Sequence, residues 1–414
     1  MSPSRHVDVA RLWRRHMEMA AIGALSRGGV NRPALSPLDA DARRRLVGWG
    51  RALGLEPFQD TMGNLFLRRA GDEPGAAPVM TGSHLDTQPT GGKFDGTYGV
   101  LAGLEALEAM NEAGRRTRRP IVLVAWTNEE GARFQPGCAG SAAFAGHAPM
   151  DRLLAAVDRA GVSVETALAD MLASQPDLPV LPPGFPVHAY VEAHIEQGPR
   201  LENEGRTVGV VTGIQGARWF AVEVGGVEAH AGTTPMAVRR DALWGAVNMV
   251  RALRELMHDP ADVVRFNVGR FEVGPGSPNT VPGRVFFTID FRHPDAATLV
   301  RFGDAVAAVC RREAEACGVT VAVTETSNTP PVDFDAGVVS RIAAAADRLG
   351  IPRLVMPSGA GHDARHLAAL CPTGMIFVPC EKGISHNEAE NATPDHLAAG
   401  TKVLADVLAD LADG

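Results

Sequence analysis

The sequence predicts an α/β protein interrupted by a smaller α+β domain, and three observations carry that reading. Apolar, strand-like runs repeatedly end in loops rich in histidine, acid and glycine and then give way to amphipathic helices. Between about Gly213 and Glu325 the texture changes, and the elements follow the order βαββαβ, the split-βαβ plan. At 414 residues, with 45% apolar and 21% charged side chains, the chain is globular in composition and too long for one ordinary core. The expected organisation is a discontinuous domain, 1–212 with 327–414, holding a mixed, mostly parallel sheet flanked by helices. A ferredoxin-like insert occupies 213–326.

Taken in order, Val9, Leu12, Trp13, Met17, Ala20 and Ala24 recur at helical spacing, so a helix is expected from Val7 to Leu25. Pro37-Leu38-Asp39 opens a second helix that stops near Gly54. Glu56–Asp60 and Leu65–Leu67 flank Met62-Gly63-Asn64 as a hairpin, and Pro78-Val79-Met80 leads a strand into the stretch from Thr81 to Gly99. The run after Gly99 is an amphipathic helix ending at Gly114, and Ile121–Thr127 is apolar throughout, as a strand buried on both faces should be. Met150–Gln175 reads as helical, PDLPVLPPGFP as a connector, and His188–His194 as a strand.

Within the insert, strands are expected at Arg218–Val224, Val263–Phe271, Arg284–Phe291 and Val319–Val323, with helices at Ala237–Met257 and Asp295–Cys317. The chain then resumes its α/β rhythm: helix Val338–Leu349, strand Leu354–Met356, helix Ala364–Leu370, strand Gly374–Val378 and a closing helix from Pro394.

A formal net charge of -8 argues against nucleic acid as the main partner, since phosphate binding needs a basic surface. No apolar run is long enough to span a bilayer, the opening residues contain no signal-like apolar segment, and a cytoplasmic address is expected. The five cysteines show no Cys-x-x-Cys spacing and fit reduced, mostly buried thiols.

Five residues with metal-ligating side chains stand in loops after expected strands: His84, Asp95, Glu130, His194 and His386. A loop histidine taken singly is more often a solvated side chain, but a shared position at one sheet edge makes a joint site of them. Imidazole and carboxylate donors suit divalent ions, and one carboxylate can bridge two. Asp86 is placed to accept the second imidazole N–H of His84. Of the adjacent Glu129 and Glu130, one can hold an ion while its neighbour faces water and substrate. Gly91, Gly92 and Gly96 let the backbone bend back so that Asp95 returns toward His84.

The segments GSHLDTQPTGGKFDG, TNEEGARF, EAHIEQG, GGVEAHAGTTPMAVRRDAL, PNTVPGRVFFTIDFRHPD, MPSGAGHDA and GISHNEAE, in this order, resemble the M20-type metallohydrolases. More narrowly they are similar to the hydantoinase/carbamoylase amidases, which include N-carbamoyl-L-amino acid hydrolases and allantoate amidohydrolases. The resemblance implies two divalent ions per subunit: His84 and His194 on one, Asp95 bridging, Glu130 and His386 on the other. Zinc is the first choice for such donors, with manganese, cobalt or nickel accepted by similar sites.

It further implies Glu129 as general base toward metal-bridging water and His230 as the oxyanion-stabilising histidine reaching in from the partner subunit. Gln197, Gln215, Asn279, Arg292 and the Gly359-Ala360 backbone match substrate-contacting positions, with Arg292 suited to a carboxylate. His362 and Asp363 are further loop candidates that read as supporting rather than ligating.

The implied reaction is hydrolysis of the carbamoyl C–N bond of N-carbamoyl-L-amino acids or similar small carboxylate-bearing amides. The implied assembly is a homodimer formed through an inserted lid and dimerisation domain. Allantoate amidohydrolysis is the alternative, although Gln88-Pro89-Thr90 departs from the allantoate pattern. A peptidase or aminoacylase of the same superfamily fits less well, because NEEGARF and HIEQG are of amidase type. A catalytically silent binding protein is disfavoured by the presence of all five donors and the base.

Overall fold

In the computed structural model, which describes residues 2–414, the chain forms two compact units. One is residues 2–213 with Asp333–Gly414, and the other is Ile214–Val332. The second unit ends later than residue 326 because its last strand runs on to Thr329.

The first unit opens with helices α1 (Val9–Ala20) and α2 (Pro37–Ala52), begun by the side-chain caps of Asp8 and Ser36. Strands β1 (Glu56–Asp60) and β2 (Leu65–Arg69) pair antiparallel as a hairpin. Then follow β3 (Val79–His84), α3 (Thr97–Glu112) and β4 (Ile121–Trp126), with β3 and β4 parallel. Helices α4 (Ala139–Phe144), α5 (Met150–Leu154) and α6 (Val164–Ala173) precede β5 (Val180–Leu181) and β6 (Ala189–Ile195). Helix α7 (Arg200–Asn203) leads to β7 (Val208–Ile214).

The region expected as one helix, Met150–Gln175, is thus two. The Asp158 carboxylate accepts the amides of Ala160 and Val162, and Gly161 takes a positive φ of 81°, so the chain turns there. The expected connector contributes β5, which pairs with β1, and α4 and β7 lie where no element was expected.

The second unit begins with β8 (Gly216–Gly225) and the short β9 (Ala229–His230), followed by α8 (Ala242–Leu256), capped by Asp241. That cap is why the helix starts later than the expected Ala237. The single strand expected at Val263–Phe271 is two pieces, β10 (Arg265–Asn267) and β11 (Phe271–Gly274), both paired with β13 (Arg284–His293). Between β11 and β13, β12 (Thr280–Val281) forms a separate ribbon with β9. Helix α9 (Ala296–Cys317) and β14 (Thr320–Thr329) complete the unit.

The sheet order is β10-β13-β8-β14 with every pairing antiparallel, the arrangement that a split βαβ produces. Alternate residues of β8 (Phe220, Val222, Val224) and β13 (Val285, Phe287, Ile289, Phe291) share one apolar core with Ala246 and Met249 of α8 and Val306 and Cys310 of α9.

After it the first unit resumes with β15 (Val332–Asp333), α10 (Ala336–Arg348), β16 (Arg353–Ser358), α11 (Ala364–Leu367), β17 (Thr373–Val378) and α12 (Pro394–Asp413). Its sheet runs β15-β7-β17-β6-β3-β4-β2-β1-β5 with β16 on β7, and the four central strands β17, β6, β3 and β4 are parallel. Every residue of these four is buried, which explains why β4 is apolar throughout. Leu12, Leu104, Leu107, Val403 and Leu404 join these strands to α1, α3 and α12 in one core. The C-terminal ends of β3 and β6 carry His84 and His194, so the chemistry collects at one sheet edge. Among the described residues no helix is long and apolar enough to cross a membrane.

His16 of α1 is fully buried between Phe94 and Tyr98, with ring centroids 5.4 and 6.1 Å away. Burial holds its imidazole far below the ordinary value of 6.5, at about 3. The unfolded chain therefore binds the proton first, and stability that is full above about pH 6.5 is lost as pH falls toward 3. The slope is at most about 1.4 kcal/mol per pH unit. Denaturant unfolding across that window should show a shallower acid slope in His16→Leu than in the native chain. An identical slope would contradict this account.

Candidate functional site

His84 closes β3 and His194 lies next to last in β6, one strand over. The loop after β3 bends back to deliver Asp95, whose Oδ1 is 3.6 Å from His84 Nε2 and 3.2 Å from His194 Nε2. The other oxygen, Oδ2, is 3.4 Å from His386 Nε2, and that same nitrogen is 3.4 Å from Glu130 Oε2. Two groups of potential ligand atoms result, His84–Asp95–His194 and Asp95–Glu130–His386, with Asp95 common to both. The first is buried, whereas the His386 side chain is 51% exposed, so the second group opens to solvent. A further group, Glu192–His194–His362, shares His194 with the first.

Tautomers follow from the backbone. His84 Nδ1 lies 2.9 Å from the carbonyl of Asp86, and His194 Nδ1 lies 2.9 Å from that of Ile195. A carbonyl only accepts, so both Nδ1 atoms donate and both Nε2 atoms turn toward Asp95.

Asp86 does a different job from the one expected. Its carboxylate is 3.9 Å from His84 Nδ1, too far for a hydrogen bond, and instead accepts the amides of Glu129 and Glu130 at 3.2 Å each. The backbone carbonyl of the same residue orients His84, and the carboxylate orients the Glu-Glu pair. With that pair held, Glu129 Oε2 stands 3.3 Å from His84 Nε2, and Gln88 Nε2 donates to Glu130 Oε2 at 2.7 Å.

Gln197, expected at substrate, donates from Nε2 to Asp95 Oδ2 at 2.8 Å. Ala360 donates its amide to Ser358 Oγ at 3.1 Å, and Gly359 precedes it in the loop after β16. His362 Nε2 is 3.0 Å from Ser358 Oγ, and its ring packs edge-on to His194 at 4.5 Å. Asp363 Oδ1 accepts from Ser141.

In the second unit, His230 pairs with Thr280 across the β9/β12 ribbon, and Ala231 donates to the Asn279 carbonyl at 2.9 Å, which brings His230 and Asn279 together. Arg292 on β13 is held by Asp290, with Nη2 to Oδ2 at 2.9 Å, and Gln215 is buried between β7 and β8.

Spacing alone does not reveal several contributors. Glu390 accepts the amides of Phe94 at 2.9 Å and Asp95 at 3.1 Å, and Ser385 Oγ donates to Asp95 Oδ2 at 2.9 Å. Both residues stand in the GISHNEAE segment, which was the available signal. Fully buried Arg32 donates to Leu85 O at 2.6 Å, Met19 O at 3.1 Å and Thr97 Oγ1 at 3.1 Å, bracing the loop at both ends. Arg43 donates to Thr127 Oγ1 at 3.1 Å, and Asn64 Oδ1 accepts the Thr127 amide at 3.0 Å, just before the Glu-Glu pair.

The electrostatics call for positive charge. Burial pushes the Glu129 carboxyl well above its ordinary range, and it pushes Glu130 up to about 8, with Asp95 adding to the rise. Burial works against ionisation of Asp95 too, but the neighbouring imidazoles of His194 and His84 hold it well below the usual range. Burial likewise opposes protonation of His84, yet Glu129, Asp95 and Asp86 raise it well above 6.5. Carboxylates crowded in so dry a place are relieved by divalent cations, and the imidazole and carboxylate set present fits such ions.

A family model described as Peptidase family M20/M25/M40 matches residues 80–410. An N-carbamoyl-L-amino-acid amidohydrolase of Rhizobium meliloti is 42% identical, over 97% of this chain and 96% of its own. An allantoate amidohydrolase of Escherichia coli is 35% identical, over 95% of this chain and 96% of its own. Among solved structures, a hydantoinase/carbamoylase family amidase from Burkholderia multivorans is 46% identical with a TM-score of 0.94, covering 99% of this chain and 98% of that one.

Gly96 opens α3 at a φ of 62°, and a Cβ there would lie 2.3 Å from the His84 ring. Gly96→Ala should therefore weaken divalent-ion binding by on the order of 10- to 100-fold, as read by equilibrium dialysis, with the circular dichroism spectrum kept. Unchanged affinity would contradict the geometry.

Proposed function

Because the chain belongs to the M20/M25/M40 peptidase family and to its hydantoinase/carbamoylase amidases, we propose that it hydrolyses the carbamoyl C–N bond of N-carbamoyl-L-amino acids or closely similar carboxylate-bearing amides. It is a metal-dependent hydrolase of non-peptide C–N bonds in linear amides. The observation that carries the finer reading is the 42% identity to the Rhizobium meliloti N-carbamoyl-L-amino-acid amidohydrolase, and Asp95 shared between two ligand groups with the Glu129 carboxylate beside them supports the metal-assisted hydrolysis. Allantoate is the second reading, favoured by the 35% identity to the Escherichia coli allantoate amidohydrolase. Both substrates set a carboxylate next to a ureido nitrogen.

His84 and His194 would hold one ion, Glu130 and His386 the other, and Asp95 both, with zinc as the native metal and manganese, cobalt or nickel as substitutes. Such ions, when bound, acidify water toward a pKa of about 7 and polarise a carbonyl oxygen. Glu129 takes the proton from the attacking water and returns it to the leaving nitrogen. His230 of the partner subunit donates to the developing oxyanion. Arg292, with Gln215, Asn279, Gln197 and the Gly359-Ala360 backbone, holds the substrate and its carboxylate, turning recognition into positioning. The enzyme works in the cytoplasm as a homodimer joined through the inserted domain.

A panel of N-carbamoyl-L- and D-amino acids, allantoate, ureidoglycolate and N-acyl amino acids, run with zinc and with manganese, tests the substrate assignment. Turnover of the carbamoyl-L-amino acids should lead, and preference for allantoate would move the assignment to the second reading. Glu129→Gln should keep two ions per chain and lose turnover by about a hundredfold to ten-thousandfold. A fully active Glu129→Gln enzyme would sink the base assignment. For the assembly, refolding a mixture of Glu129→Gln and His230→Ala chains should restore activity that neither variant has alone. A mixture as inactive as its parents would remove the shared site.

A further inference from the structure

Resting on the reading of Glu129 as base, we infer that Cys138 is its positioning residue, holding the carboxylate through the thiol and the backbone at once. The Cys138 Sγ–H donates to Glu129 Oε1 at 3.4 Å, and the Cys138 amide donates to the Glu129 carbonyl at 2.8 Å. Glu129 Oε1 is thereby engaged, while Oε2 is the oxygen facing His84.

The local chain is built for this contact. Cys138 sits at a positive φ of 51°, a conformation that non-glycine residues adopt at a cost. The preceding Gly137 passes so close that a Cβ would lie 2.5 Å from the Glu129 carbonyl oxygen. Asn128 spans the same loop, its Nδ2 donating to Phe134 O at 3.0 Å and Pro136 O at 3.1 Å, so the 128–138 turn is braced from inside.

What matters chemically is the donor. Burial keeps the Cys138 thiol protonated, so it remains a donor. A hydroxyl in the same place would supply an equivalent donor to the same carboxylate oxygen. Asp86 fixes the Glu129 backbone amide from one side and Cys138 fixes the carbonyl and carboxylate from the other.

The test compares Cys138→Ala, Cys138→Gly and Cys138→Ser with Glu129→Gln, each as metal-loaded full-length enzyme on its best substrate. Glycine suits the positive φ, so Cys138→Gly keeps the test alive if the alanine variant folds poorly. Loss of the donor in Cys138→Ala and Cys138→Gly should lower kcat about tenfold, with KM, metal content and melting temperature unchanged. Cys138→Ser should recover most of the rate. Retention of kcat within about twofold in both donor-free variants, or equal losses in the serine and donor-free variants, overturns the positioning role. An active Glu129→Gln enzyme instead overturns the base assignment, so the two failures are told apart.

Discussion

Asp95 carries a carboxylate into a place from which nearly all water has been removed, and His84, His194 and His386 converge on its two oxygens. A charge so buried is costly unless each lone pair has a partner. Most of the surrounding architecture can be read as supplying those partners. Gln197 and Ser385 donate to Oδ2, and Glu390 fixes the Asp95 backbone amide. Gly96 lets the chain turn away beneath the His84 ring, where any side chain would collide.

The supports behind this centre are polar groups buried for geometry rather than for stability. Arg32 spends its guanidinium on carbonyls and a hydroxyl and ties the end of α1 to both ends of the Asp95 loop. Arg43 and Asn64 do the same for Thr127, so the Glu129-Glu130 pair leaves β4 in one direction. Burying such groups is tolerable only because nearly every donor finds an acceptor. The consequence is two carboxylate-imidazole groups of different exposure, one enclosed and one open to solvent, with the Glu129 carboxylate beside them.

Much of this was legible in the residues. A continuous apolar run located β4, short strand-like stretches located β3 and β6, amphipathic spacing located α3, and the recurrence of ligand-type residues after strands singled out His84, Asp95, Glu130, His194 and His386. Other features left no periodic trace. Helix α4 is the small-residue run AGSAAF, which has no amphipathic face to detect. Asp86 was expected to turn its carboxylate to His84, but the residue's own carbonyl is nearer, and a carbonyl contact cannot be read from a side-chain motif. Glu390, Arg32 and Cys138 act through contacts to backbone or side chains distant in sequence or across a turn, which only the folded chain defines.

The claim on which the account rests is that one carboxylate serves two ions, and metal stoichiometry in Asp95→Asn measures it directly. Two divalent ions per native chain and loss of both from a folded Asp95→Asn protein is the predicted result. Retention of two ions by that variant, or a native chain that binds none under the same conditions, would contradict it.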